Sequence, residues 1–159
     1  MGLDQYLYAK RYYSDYDFNK SEEREKFAEL QKVWGEAIPR KTCGAAGMSF
    51  EIVHTVAYWR KANAIHGWFV RHCGQGVDDC RPIYVSREML TILKTVCEEA
   101  LSSKDEKFAK RELPPTEGFF FGTYEMDDWY WSDMQSTVDQ LNVALSLENV
   151  DEYTYQASW

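Results

Sequence analysis

The side chains best suited to chemistry lie between residues 51 and 73, in EIVHTVAYWRKANAIHGWFVRHC. On a helical wheel, Trp59, Asn63 and His66 share one broad and otherwise apolar arc, with Arg60 at its edge. Buried polar groups must find partners in the protein or in a ligand. Two interpretations follow. Either neighbouring backbone satisfies Asn63 and His66 while Arg60 pairs with a carboxylate, or these side chains line a ligand site.

The element that must position them is predicted to be a central helix, beginning near Ser49 and fraying at Gly74. It is apolar around most of its circumference, which predicts burial on most sides. His54 and His72 fall on the narrow remaining polar stripe and are expected to be solvated.

Rings and guanidinium groups in this region suit an aromatic, anionic ligand such as a nucleotide. Aromatic side chains and arginine stack on bases, arginine also binds phosphate, and asparagine offers the paired donor and acceptor of a base edge. The phenylalanines from 119 to 121 would add further rings. The candidate ligand-binding residues are Trp59, Arg60, Asn63, His66, Arg71, Asp78, Asp79, Phe120 and Tyr124.

The adjacent carboxylates Asp78 and Asp79 have two interpretations. They could bind a metal or a sugar hydroxyl, or they could cap a turn and pair with Arg71 or Arg81. His66 with either aspartate could also perform acid–base chemistry, which makes a small hydrolase the enzymatic alternative.

Motifs of the common enzyme classes are missing from the sequence: it has no GxSxG, P-loop, GxGxxG, HExxH or EF-hand pattern. A zinc site built from Cys73, Cys80, His66 and His72 matches no common spacing. The sequence therefore assigns no catalytic residue, no metal site and no cofactor.

The totals describe a globular chain. Its 159 residues predict a single domain over 1–159, and 45% hydrophobic residues can form a core. A net charge of −8 argues against general nucleic-acid binding. With no long apolar run and no signal-peptide pattern, we expect no membrane association, a cytosolic location and free thiols.

The element pattern predicts an α+β fold, dominated by about four helices, with a small antiparallel sheet that includes the N- and C-terminal strands. Ser102–Pro115 is expected to be an exposed connection and Pro39–Gly47 a loop. The predicted elements besides the central helix are a strand at Leu3–Tyr13, a helix from Ser21 to about Gly35, a strand at Ile83–Val85, helices at Arg87–Leu101 and Trp129–Leu147, and a strand at Glu152–Trp159. Glu117–Tyr124 is expected to be either a short buried strand or a tight turn against the core.

Several blocks together resemble a family of small proteins encoded by bacteriophages and prophages. They are MGLDQYLY, VAYWRKANAIHGWFV, DDC followed by YVSRE, GFFFGTY and the terminal YQASW. The family carries no activity that can be transferred. The resemblance implies expression in the cytoplasm of a bacterial host, where small phage proteins often act on host defence.

The leading expectation is thus an accessory protein that binds a nucleotide-like molecule and sequesters a defence signal of the cyclic nucleotide or cyclic ADP-ribose type. The alternative from another class is a modulator that inhibits a host enzyme, docking through the acidic, aromatic surface at Asp127–Trp131. The aromatic content would also allow a buried face between copies in a homodimer or higher homo-oligomer.

Overall fold

The computed structural model describes residues 2–14, 21–34, 49–118 and 121–159. The α+β prediction is confirmed: the described residues form five helices and a four-stranded antiparallel sheet. The elements are β1 (Asp4–Ser14), α1 (Ser21–Trp34), β2 (Ser49–Arg60), α2 (Asn63–His72), β3 (Ile83–Val85), α3 (Arg87–Ser103), α4 (Glu106–Glu112), α5 (Asp128–Ser146) and β4 (Glu152–Ser158).

The sheet has the strand order β2-β1-β4-β3, so the first and last strands of the chain are neighbours at its centre. Alternate residues of β1 are buried, among them Gln5, Leu7 and Ala9, as the period of two along a strand requires. On the other side of β4, Tyr155 pairs with Ile83 of β3 in antiparallel register. The predicted pairing of the chain ends within one sheet is therefore confirmed.

The chain divides into two compact units, Met1–Ala9 with His54–Trp159 and Lys10–Val53. In the second unit, Phe27 of α1 packs against Phe50 with ring centroids 5.2 Å apart. In the first unit, α3 packs on α5, and Cys97 Sγ lies 3.7 Å from Met134 Sδ. All of the candidate site described below belongs to the first unit.

The predicted central helix is wrong in its first half. Residues 49–60 form strand β2, because β-branched and aromatic side chains there favour extended backbone. Lys61 then adopts a φ of 62° and donates its backbone N–H to Leu3 O at 2.8 Å, which ends the strand. Only from Asn63 does the helix begin. Trp59 and Arg60 therefore share no helical arc with Asn63 and His66.

Side-chain caps begin two of the helices, α4, which was not predicted, and α3, which was. Ser102–Pro115 is not merely a connection: it contains α4, whose N-cap Asp105 accepts a hydrogen bond from Lys107 N at 2.8 Å. The predicted cap of α3 is confirmed, since Ser86 Oγ accepts from Met89 N at 3.2 Å. Pro39–Gly47 and Phe120 lie outside the described residues. None of the described helices has the length and apolar character that crossing a membrane would require.

Candidate functional site

His66 is held inside the protein by a chain of side chains. It is 1% exposed; its Nδ1 lies 2.8 Å from the Tyr155 hydroxyl and its Nε2 lies 2.9 Å from Asp78 Oδ2. The Tyr155 hydroxyl donates to Gln5 Oε1 at 3.0 Å, and Gln5 Nε2 donates to Ala62 O at 3.3 Å. Both ring nitrogens are thus engaged, by side chains and not by the neighbouring backbone that the sequence suggested.

The two aspartates of the predicted acid pair have separate roles. Asp78 pairs with His66 and also accepts from Trp159 Nε1 at 3.2 Å. Asp79 faces Arg81 instead, with Oδ2 at 2.5 Å from Nε, and that hydrogen bond lowers the pKa of Asp79. The structure therefore brings His66 together with Asp78 but not with Asp79, and it buries the imidazole that acid–base chemistry would need.

Burial raises the pKa of two of the described cysteine thiols, Cys73 and Cys97. Cys73, Cys80 and Cys97 are free. Burial raises the pKa of Cys73 to about 11, which disfavours the nucleophilic thiolate. Within the described residues, no group of three or more potential ligands is placed to hold a metal.

The Asn63 side chain is satisfied by backbone groups, as the first of the two interpretations expected. Its Nδ2 donates to Phe121 O at 3.1 Å and to Thr123 O at 2.8 Å, while its Oδ1 accepts from Thr116 N at 3.3 Å. The side chain is 7% exposed. Asn63 therefore fixes the segment after Phe121, and that segment forms part of a cavity wall.

Three other predicted site residues do not line the cavity whose wall includes the segment after Phe121. Trp59 is buried and donates Nε1 to Thr137 Oγ1 at 2.9 Å. Arg71 is on the exposed side of α2, where partial desolvation lowers its pKa. The Tyr124 hydroxyl donates to Gly118 O at 3.0 Å, and its ring borders a neighbouring cavity. The sequence-predicted constellation is thus dispersed.

A cavity of about 430 Å³ lies between the end of β2, the segment after Phe121 and the first turns of α5. We call it the Arg60 cavity. Of the predicted site residues, Arg60 and Asn63 line it. The other lining side chains that matter below are Lys61, Glu125, Trp129 and Asp133.

The two cationic side chains of the Arg60 cavity have no partner among the described residues. The structure gives neither Arg60 nor Lys61 a side-chain ion pair or hydrogen bond with any of the residues it describes. The expected pairing of Arg60 with a carboxylate is thus not found there. Two exposed cations that line one cavity suit an anionic ligand, since arginine and lysine both bind phosphate and carboxylate oxygens.

Asp133 is the residue that the sequence analysis missed. It lies on α5 one helical turn after Trp129, is partly buried, and its carboxylate has no hydrogen-bond or ion-pair partner within the described ranges. Burial, with the charge of Asp127, raises the pKa of Asp133 to about 6. Asp127 is well satisfied by comparison, because it accepts from Trp129 N and Tyr130 N at 3.1 Å as the helix cap. The sequence signal was an aspartate four residues after a tryptophan in the predicted final helix.

Replacing Asp133 with asparagine should stabilise the protein at neutral pH. Its folded pKa of about 6 lies above the usual 3.8, so the ionised carboxylate lowers the free energy of unfolding. This penalty is fully present above pH 6 and is lost as the pH falls from 6 to 3.8. Allowing for partial exposure, we expect Asp133→Asn to raise the free energy of unfolding by about 1 kcal/mol at pH 7.5. Urea unfolding at pH 7.5 and pH 3.5 measures this, with the exposed Asp139→Asn as control. A gain that is the same at both pH values would contradict the assignment.

Comparison of the chain with protein-family models, curated proteins and solved structures finds no significant match.

Proposed function

We propose that this protein binds a nucleotide-like small molecule in the Arg60 cavity. The observation that carries the proposal is that charges of both signs, Arg60 and Lys61 with Asp133, line one cavity and have no side-chain partner among the residues that the structure describes. Asp133 is partly buried, and a partly desolvated carboxylate without a partner is costly and typical of a site completed by its ligand. Arg60 and Lys61 are exposed, so their side chains are accessible to an incoming anion.

The shape and chemistry of the cavity suit such a ligand. A volume of about 430 Å³ falls within the range of small-molecule sites. Trp129, 75% exposed, offers a ring on which a base can stack. The phosphate would bind Arg60 and Lys61, while the carboxylates would accept hydrogen bonds from base or sugar donors.

The expected biological role is sequestration. The resemblance to phage-encoded proteins sets the context of a bacterial cytoplasm, where the ligand would be a host defence signal of the cyclic nucleotide or cyclic ADP-ribose type. Sequestration requires binding without turnover. Binding without turnover is supported by His66, because its two ring nitrogens are hydrogen-bonded to Tyr155 and Asp78 and are therefore not free to act on a ligand.

Alanine variants of the cavity should lose ligand. A thermal-shift screen of cyclic and linear nucleotides and of cyclic ADP-ribose isomers would first find the ligand, and calorimetry would measure its affinity. We expect Arg60→Ala and Trp129→Ala each to weaken binding by about tenfold or more, the equivalent of one charged hydrogen bond or one stacked base.

Arg81→Ala is the matched control, since that arginine is exposed and paired with Asp79 outside the cavity. It should bind as the wild type does. A ligand recovered intact after denaturation supports sequestration. A ligand recovered in chemically altered form would show that the protein is an enzyme and would contradict sequestration. The proposal fails if no compound in the panel stabilises the wild type, or if Arg60→Ala binds unchanged.

A second candidate function is inhibition of a host enzyme through protein–protein contact. The exposure of Trp129 beside the charges of Asp127 and Asp128 favours it, because an exposed ring with an acidic rim can anchor a partner. A tagged chain would be used to capture partners from host lysate at low and high salt, alongside Trp129→Ala. A partner retained by the wild type, lost in the variant and inhibited when purified would support this candidate.

A further inference from the structure

The base-recognising end of the Arg60 cavity is defined by two residues of α5. Trp129 and Asp133 lie one helical turn apart and both line the cavity. Side chains at this spacing are on the same helix face, with their Cβ atoms about 6 Å apart. A base that stacks on the Trp129 ring therefore has one of its edges within reach of the Asp133 carboxylate.

An ionised carboxylate constrains what that edge can be. It has two acceptor oxygens and no donor, so it pairs fully only with two adjacent donors. Among the common bases, guanine has such an edge, in its N1–H and exocyclic N2 amino group. Adenine, cytosine and uracil each place an acceptor beside their donor, and that acceptor would face a carboxylate oxygen.

The other charged groups at the cavity leave this role to Asp133. Asp127 is occupied in capping α5 and by a hydrogen bond from Thr123 Oγ1 at 3.3 Å. Glu125 is exposed to solvent, where a competing water lowers the value of a hydrogen bond. Arg60 and Lys61 are donors and suit the phosphate instead. Asp133 alone among these is both partly buried and without a described partner.

We infer that Asp133 selects a guanine-type base, so that the ligand class is a guanine nucleotide stacked on Trp129 with its phosphate at Arg60 and Lys61. This inference rests on the proposed function and narrows its ligand to guanine nucleotides, which leaves out the adenine-containing cyclic ADP-ribose type. The partial burial of Asp133 supports the inference, because a hydrogen bond to a carboxylate is stronger where water is excluded.

The test is a base-specificity switch. Affinities of the full chain for guanosine, xanthosine, inosine and adenosine 5′-monophosphates would be measured by calorimetry at pH 7.5. Guanosine monophosphate should bind at least about tenfold more tightly than the adenosine compound, and inosine, lacking the second donor, should fall between them. In Asp133→Asn, the amide offers one donor and one acceptor, which matches the N1–H and C2 carbonyl of xanthine.

The ratio of guanosine to xanthosine affinity should therefore fall by at least about tenfold in Asp133→Asn and stay unchanged in Asp139→Asn, a control on the same helix. Because asparagine has the shape of aspartate and Asp133 makes no described side-chain hydrogen bond, the variant is expected to fold. If the ratio does not change in Asp133→Asn, or if the wild type binds all four nucleotides equally, the inference is overturned. The proposed function still stands in both cases, because nucleotides are bound. Binding of no nucleotide by the wild type overturns both.

Discussion

Replacing His66 with alanine is expected to lower the free energy of unfolding by about 3–5 kcal/mol, the largest effect among these variants. The imidazole is 1% exposed and links Asp78 to Tyr155. Its removal leaves a cavity beside Phe121, whose ring centroid is 5.1 Å away. It also removes one of the two hydrogen-bond partners of the buried Tyr155 hydroxyl, which keeps Gln5, and of the Asp78 carboxylate, which keeps Trp159. Lost hydrogen bonds to a buried hydroxyl and to a carboxylate are costly.

Urea unfolding of the purified variants would measure this change. His54→Ala is the matched control, because His54 is exposed on β2 and should alter stability by less than about 0.5 kcal/mol. Tyr155→Phe should have an intermediate effect, since it keeps the ring that stacks on Phe69 at 4.1 Å and removes only the hydroxyl. If His66→Ala unfolded at the same urea concentration as His54→Ala, the hydrogen-bonded chain would have no stabilising role.

Gly67→Ala should also destabilise the protein, by about 2 kcal/mol, although alanine is the better helix former. A Cβ at position 67 would lie 1.9 Å from Thr116 Oγ1 and 3.1 Å from Thr116 Cβ. The Thr116 segment has little freedom to retreat, because its backbone N–H donates to Asn63 Oδ1. The close approach of this segment to α2 is what requires glycine here.

A double-mutant cycle isolates the contact. In a Thr116→Gly background the clashing atoms are gone, so Gly67→Ala should be neutral or stabilising, as expected in an ordinary helix. The same loss of stability in both backgrounds would show that the penalty arises elsewhere. Arg71 Nη1, 2.8 Å from the added Cβ, is the end of a flexible side chain and is expected to move away at little cost.

These two variants separate the structural centre of the first unit from its candidate site. His66 and Gly67 lie in the buried part of α2, whereas Arg60, Trp129 and Asp133 line a cavity. We therefore expect stability to change with His66 and Gly67, and ligand affinity to change with Arg60 and Trp129. Asp133→Asn should change both, in opposite directions, as is common where a site is maintained at the expense of stability.

The elements with clear local signals could be predicted from the sequence. Alternating aromatic and apolar residues marked β1, and Ser86 marked the start of α3. The stretch before Lys61 could not be assigned, because a densely apolar and aromatic run has neither a clean period of two nor one of 3.6. The turn at Lys61 depends on the hydrogen bond to Leu3 O, a contact with a distant part of the chain.

The sequence by itself determined the α+β class, the adjacent terminal strands and the burial of Asn63 and His66 as polar groups in apolar surroundings. That Arg60 belongs to a ligand site stays a prediction. Only the tertiary structure decided what each of them does. His66 meets Asp78 and Tyr155, Asn63 holds the segment after Phe121, and Arg60 comes to the cavity that Asp133 also lines. The physical reason is that local patterns fix the type of an element and its buried face, whereas the partners of a polar side chain depend on which distant elements pack against it.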